Sequence, residues 1–448
     1  MNNTHTLRTE NMFRLSWPIF LQHATGSVVL FVDFVFLSYL SDEIAGIVGQ
    51  ILPVTWLGSF IIPVFAGTGI SVASQFMGAR RYEKVIPTYM MNLALSCFLG
   101  LFVAMSMFLL RSKIGEWMGL NAEQNVVSSL YLGCMSLYFV VMAVMAAYNA
   151  VLSSRGLTQW IMVVSLISGV SNIALNTWFV FGLGWGIVGI VGSTVIATSL
   201  SMVVGILLVH GKLGIRFYLN GALADMWSVM RPMMRVGIPN VVEPTSYACQ
   251  QIILSTFVIS MGVQAMASNA FAGRLHMPHI VLCFSLASAA QILMAHWMGA
   301  GRTESINRLF WRILGISTGT ALIYMTLIWA NAYDILRIFT EDTEIRATCK
   351  QLLLISLITE PSRMVNILSG HCLRSVGDTR YPMVVGLIFI WGILPVIFAI
   401  DRAWTLTIVG MWACFAADEF VRALINLQRW YSGKWRSMSL VEPDASSS

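Results

Sequence analysis

The sequence predicts an all-α integral membrane protein of about twelve transmembrane helices in two pseudo-symmetric six-helix lobes. Three observations predict it. The chain is apolar: 57% of its 448 residues are hydrophobic and 11% are charged, where soluble domains carry about 25% charged residues. Its apolar stretches have the length that crosses a bilayer, ~20 residues. It also repeats itself at one fixed spacing.

The stretches and their breaks place spans at 13–39, 46–77, 86–110, 125–152, 159–181, 187–210, 236–261, 265–297, 309–332, 347–373, 382–400 and 404–428. The first is too long for a cleavable signal peptide and contains Pro18 and Asp33, so it serves as its own insertion signal. Net charge is +6, and its placement matters more than its sum. With both termini in the cytoplasm, the inner loops hold most of the basic residues, among them Arg80, Arg81, Lys84, Arg155, Arg302, Arg374 and Arg380. The outer loops hold Arg111, Lys113, Arg337, Arg346, Lys350 and Arg402. Such a bias sets orientation and predicts a multi-pass protein of a bacterial plasma membrane, the inner membrane, with cytoplasmic termini. The basic balance therefore reflects topology, and no nucleic-acid partner is expected. The seven cysteines are scattered and form no C-x-x-C, which reads as small apolar filler.

Four short motifs recur. Met12–Pro18 answers Met233–Pro239, Phe76–Arg81 answers Trp297–Arg302, Gly156-Leu-Thr158 answers Gly377-Asp-Thr379, and Ile187-Val-Gly189 answers Ile408-Val-Gly410. The offset is the same each time, that of Pro239 from Pro18 and of Gly377 from Gly156. Six spans per half give both halves one orientation, a parallel repeat about an axis along the membrane normal. The N-lobe is 1–210, the polar segment 211–235 is a cytoplasmic linker, and the C-lobe is 236–448 with a cytoplasmic tail. Two such lobes around a midplane cavity is the architecture of a secondary transporter.

The repeat is also an internal control on the polar residues. A carboxylate in hydrocarbon costs ~3 kcal/mol on insertion scales and usually faces a bundle interior, often with a function there. Asp33 is the one carboxylate of its long apolar run, though Tyr39, Ser41, Asp42 and Glu43 follow closely enough to leave an interfacial position open. At the repeat offset, Asp33 meets Leu254, Asn149 meets Gly370, Asn172 meets Ile393, Asn176 meets Ile397, and Thr194 meets Phe415. These polar groups belong to the first half alone. Asn172 and Asn176 are one turn apart on one helix face. Each amide or hydroxyl alone reads as interhelical glue. Together with one carboxylate they form an oxygen-rich set of the kind a hard cation prefers, and one negative charge matches one Na⁺ or one H⁺.

The second half has its own polar set, Glu243, Arg274, Glu360 and Arg363, as candidates for the cavity. Glu360 and Arg363 are spaced to pair on one helix face. Glu243 follows Pro239 near the cytoplasmic end. His276, His279 and His296 have no metal-ligand spacing with an acid and read as interfacial or cavity-lining. Asp418, Glu419 and Arg422 read as the cytoplasmic end of the last helix. No Walker A, H-E-x-x-H or G-x-S-x-G motif is present, so neither ATP-driven cycling nor an enzyme is expected.

Six stretches stand out together: Val32–Leu37, Ser71–Arg80, Asn149-Ala-Val-Leu152 with Gly156, Asn172–Asn176, Leu373–Thr379 and Asp418–Arg422. In this order they resemble the MATE (multidrug and toxic compound extrusion) family of cation-coupled exporters. The resemblance covers nearly the whole chain. It implies a V-shaped pair of six-helix lobes that alternates access and exports small organic, amphipathic or cationic compounds, drugs or a secondary metabolite, against Na⁺ or H⁺. It implies a cation site at Asp33, Asn149, Asn172, Asn176 and Thr194, a helix-1 bend at Pro18, no cofactor beyond the coupling ion, and a monomer in the lipid bilayer. Asn176 stands where that branch usually has a second Asp, which leaves one carboxylate. The C-lobe acids of another branch have no clear match; Tyr247 and Arg363 fall at about those positions, with Glu243 and Glu360 a turn away. A flippase or exporter of a lipid-linked or polar metabolite from the same superfamily, an intramembrane transferase and a membrane scaffold are the competing readings. The first would show a more cationic cavity, the second a paired-acid metal motif, and the third would not explain a polar cluster confined to one lobe.

Overall fold

The computed structural model of the chain describes residues 11–218 and 222–441. Arg8 and the outermost residues of the predicted termini, with 219–221 of the predicted linker, lie outside the described residues. The secondary structure is helical throughout: α1 (Met12–Leu40), α2 (Asp42–Ala66), α3 (Thr68–Gly78), α4 (Val85–Trp117), α5 (Ala122–Ser154), α6 (Thr158–Thr177), α7 (Gly186–Ile206), α8 (Ala222–Ser260), α9 (Val263–Gly299), α10 (Thr303–Ala330), α11 (Ala332–Leu336), α12 (Thr343–Val376), α13 (Arg380–Trp404) and α14 (Ile408–Tyr431). Among the described residues, ten spans are long and apolar enough to cross a membrane, with α2 and α3 acting as one. Six of these spans lie in the first half and four in the second, which helices α8 and α14, less apolar, bring to six. Helix α8 carries Arg231, Arg235, Glu243, Gln250 and Gln251, and α14 carries Asp418, Glu419 and Arg422.

The chain divides into two compact units, one through Val241 and one from Val242 onward. Residues 222–235 of the polar connecting segment are the opening turns of α8.

Backbone geometry repeats with the sequence. Asn121 caps α5 through the amide of Gln124, and Asp342, its counterpart in the second half, caps α12 through Glu344 and Ile345. These side chains satisfy amides that the first turn leaves without a carbonyl. Three pairs at the same offset have positive φ: Arg80 (60°) and Gly301 (70°), Gly156 (68°) and Gly377 (98°), Gly184 (67°) and Thr405 (50°). Each closes a helix end at the same point of the two halves. Thr405 is β-branched, and this conformation costs a side-chain-bearing residue roughly 1–2 kcal/mol. Thr405→Gly is therefore expected to raise stability by about 1 kcal/mol, seen as a higher thermal midpoint in detergent. An unchanged or lower midpoint would show that the exposed Thr405 side chain compensates the strain.

Pro18 lies inside α1. Proline has no amide for the carbonyl one turn before it, which is Arg14. The Thr158 hydroxyl, at the start of α6, donates to that carbonyl at 3.4 Å. The α2–α3 break is closed similarly, with the Asn92 amide nitrogen donating to Ala66 O at 3.1 Å. The matched stretch of the second half runs unbroken through α9.

Candidate functional site

The first unit holds the Asp33 cluster. Helices α1 and α6 approach closely where α6 has Gly169. A Cβ there would lie 2.7 Å from Thr25 Cγ2 of α1 and 3.5 Å from Val29 Cγ2. Small residues permit such approach between membrane helices. Two turns along α1 from Thr25, Asp33 then faces Asn172 and Asn176, which follow Gly169 on α6.

Asn176 Nδ2 donates to Asp33 Oδ1 at 2.6 Å and lies 3.1 Å from Asn172 Oδ1. Asn172 Nδ2 donates to Thr194 Oγ1 of α7 at 3.1 Å. The Thr194 hydroxyl lies 3.3 Å from Asp33 Oδ2 and 3.1 Å from Ile190 O. Asn172 and Asn176 are buried, and Asp33 and Thr194 are half-buried. No basic residue pairs with Asp33 among the described residues: every partner is neutral. The phenols of Tyr131 and Tyr138 on α5 lie within electrostatic range of its carboxylate, with Ser59 of α2 close to Tyr138.

The decisive atom is Asn176 Oδ1, which is buried and accepts no hydrogen bond. Buried acceptors are rarely left so. Beside it stand Asp33 Oδ1 and Oδ2, Asn172 Oδ1 and Thr194 Oγ1. This is an all-oxygen donor set with one negative charge, which suits a hard monovalent cation or a proton on the carboxylate.

The structure brings together Asp33, Asn172, Asn176 and Thr194. Asn149 bonds to none of them. It lies eleven residues beyond Tyr138 on α5, about 16 Å at the helical rise, with its own buried Oδ1 unpartnered. Sequence reasoning missed Gly169, Tyr131 and Tyr138. A small residue three before Asn172 was the available signal for the first; nothing local marks the tyrosines.

The second unit holds a different polar core. Glu360 Oε1 accepts from Arg363 and lies 3.3 Å from His276 Nδ1. His276 Nε2 lies 3.1 Å from the Ser356 hydroxyl. Arg363 reaches Glu419 at 3.7 Å, and Arg422 pairs with Glu419 at 2.8 Å and Asp418 at 3.5 Å. Asn366 Nδ2 donates to Glu419 Oε2 at 2.6 Å. The partly exposed Tyr247 lies within electrostatic range of Arg363, Glu419, Arg422 and Glu360. Glu243 pairs with Arg374 at 3.0 Å, in space left by Gly386. Arg274 is exposed on α9, outside this network.

Two sequence expectations change here. His276 is buried against an acid, because α9 and α12 pack side by side and bring Glu360 to it. Asp418, Glu419 and Arg422 sit in the middle of α14, because their mutual pairing lets charge enter the interior. Among the described residues no group of three His, Cys, Asp or Glu side chains is arranged to hold a metal.

The MatE family model matches residues 18–178 and again residues 239–399. The chain belongs to the MatE family. The two matched blocks begin and end at the offset already read from the motifs. The uncharacterized transporter YisQ of Bacillus subtilis (strain 168) is 28% identical over 444 residues, covering 96% of this chain and 95% of its own. The probable multidrug resistance protein NorM of Thermotoga maritima is 23% identical over 441 residues, covering 96% and 94%. A MATE crystal structure in complex with MaL6 superposes with a TM-score of 0.86 at 18% identity, covering 95% of this chain and 96% of that one. A MOP-superfamily transporter from Pyrococcus furiosus gives 0.86 at 19% identity over the same shares. The MatE chain is thus a multi-pass membrane protein of a transporter family, with small-molecule substrates and the bilayer as its surroundings.

Proposed function

We propose that this MatE protein exports small organic compounds, amphipathic or cationic, in exchange for one Na⁺ or H⁺ bound at Asp33. The observation that carries this reading is the Asp33 carboxylate, without a basic partner among the described residues and ringed by neutral oxygen donors, beside the unpartnered Asn176 Oδ1. The similarity to NorM, a probable multidrug resistance protein, supports the substrate class. Alternating access follows from the need to load the cation on one side and release it on the other. The bias of basic residues orients the termini to the cytoplasmic side of the plasma membrane. The protein acts as a monomer, since one chain carries both repeats.

One monovalent cation moving inward through 100 mV releases ~2.3 kcal/mol. That sustains about a fiftyfold gradient of a neutral substrate. A monovalent cationic substrate exchanged one for one cancels the voltage and is driven by the chemical gradient alone.

The test is Na⁺ titration of the purified protein by the fluorescence of its fifteen tryptophans, at pH 6 and pH 8. The expected result is saturable binding at pH 8 that weakens at pH 6, as Na⁺ and H⁺ compete for one carboxylate. A response to pH with none to Na⁺ would assign proton coupling. No response to either ion would overturn the reading.

A further inference from the structure

Away from the Asp33 cluster, α4 and α5 leave an open apolar groove of about 340 Å³ on the first unit. Ala104, Gly133 and Ser136 form its floor, and exposed side chains such as Met105, Phe108 and Leu137 form its walls. The lining residues recur at helical spacing on both helices, so the groove runs along two membrane spans.

Arg111 closes one end. Its guanidinium carbon lies 4.1 Å from the centroid of the Phe108 ring, and a Cβ on Gly133 would lie 3.5 Å from its Cδ. The side chain is thus held over the groove by Phe108 and Gly133. Arg111 is half-buried and makes no ion pair among the described residues, whereas Lys113 is paired with Glu116 at 3.0 Å. Arg111 Nη1 donates to Phe108 O at 3.5 Å, a neutral partner that leaves the charge of a guanidinium beside hydrocarbon uncompensated and suited to an anion.

The repeat provides a comparison within the same chain. At the positions matched to Ala104, Gly133 and Ser136 stand Met325, Leu354 and Leu357, and Ala332 is matched to Arg111. The second half has large side chains where the first has a floor, and its nearby cation, Lys350, stands over the rings of Trp329, the residue matched to Phe108, and Tyr333.

The geometry points to an anionic phospholipid as the occupant, with one acyl chain along the groove and its phosphate on Arg111. The chain contributes packing, since bilayer hydrocarbon is as apolar as the groove. Selectivity comes from the headgroup, because a guanidinium binds phosphate oxygens in a bidentate fork.

The experiment is native mass spectrometry of the full chain released from detergent with phosphatidylglycerol or phosphatidylcholine of identical acyl chains. The wild type should retain phosphatidylglycerol several-fold better. Arg111→Gln should abolish the preference, Gly133→Leu should reduce retention of both lipids, and Lys113→Gln should change neither. Added inorganic phosphate should not displace the lipid. Equal retention of both lipids by the wild type, or an unchanged preference in Arg111→Gln, would overturn the proposal. Displacement by inorganic phosphate would also overturn it, since a plain phosphate site needs no acyl chain.

Discussion

Asp33→Asn is expected to leave the fold intact and abolish cation-driven export. The substitution preserves shape and removes the one charge of the N-lobe cluster. A unit charge acting on a monovalent cation at about 4 Å is worth ~4 kcal/mol at an effective dielectric of about 20. Cation affinity should therefore fall about a thousandfold. Folding should not suffer, because the wild-type carboxylate has no basic partner to strand. Asn176 Nδ2, which donates to Asp33 Oδ1 at 2.6 Å, can donate to the new amide oxygen. The measurement is export from proteoliposomes under an imposed Na⁺ or pH gradient, with a thermal midpoint recorded in parallel. Export at the wild-type rate would remove Asp33 from coupling. Lost export with a collapsed midpoint would make Asp33 a structural residue.

Arg363→Met should have the largest effect on stability, a loss of about 3–5 kcal/mol. Arg363 bonds Glu360 and approaches Glu419 at 3.7 Å. Glu360 is fully buried, and its Oε2 has no partner. Without the guanidinium, a buried acid loses its main counter-ion, and the cost is that of a stranded charge rather than of one contact. Arg363→Met combined with Glu360→Gln should recover part of the loss, because it removes the stranded charge as well. Thermal unfolding of both variants in detergent checks this. Equal midpoints for wild type and Arg363→Met would mean that Arg422 alone neutralises the core. No recovery in the double variant would mean that Arg363 acts through packing.

These two substitutions reflect a division of labour between the repeats. The N-lobe cluster has one carboxylate and neutral partners, so under the proposed function its charge is the one a mobile cation would meet. The C-lobe core has Glu243, Glu360, Asp418 and Glu419 against Arg363, Arg374 and Arg422, so most of its charge is already paired inside the protein.

Much of the N-lobe cluster was legible before any coordinates. A lone acid in an apolar run is costly wherever it lies, so Asp33 stands out on composition alone. Asn172 and Asn176 share a face by helical spacing, and the mismatch between repeats separated them from residues the fold requires in both halves. The same reasoning grouped Asn149 with them, although it bonds to none of the cluster. A residue's depth along a helix depends on where that helix sits against its neighbours, and spacing alone carries no such information. The C-lobe core was less legible for the same reason. His276, Glu360 and Glu419 lie on three different helices, and only their packing joins them.

The sequence by itself determined the class of molecule, the approximate course of its spans and the twofold repeat. Those follow from local physics, the cost of moving each segment out of water, and from motifs that recur at one fixed offset; the helix ends, such as the start of α8 at Ala222 and the α2–α3 break, came from the structure. The tertiary structure decided which side chains meet. The close approach at Gly169 and Thr25 delivers Asp33 to the α6 amides, and the packing of α9, α12 and α14 converts scattered charges into one paired core. A side-chain contact depends on the rotation, depth and separation of two helices at once, and no single stretch of chain encodes all three.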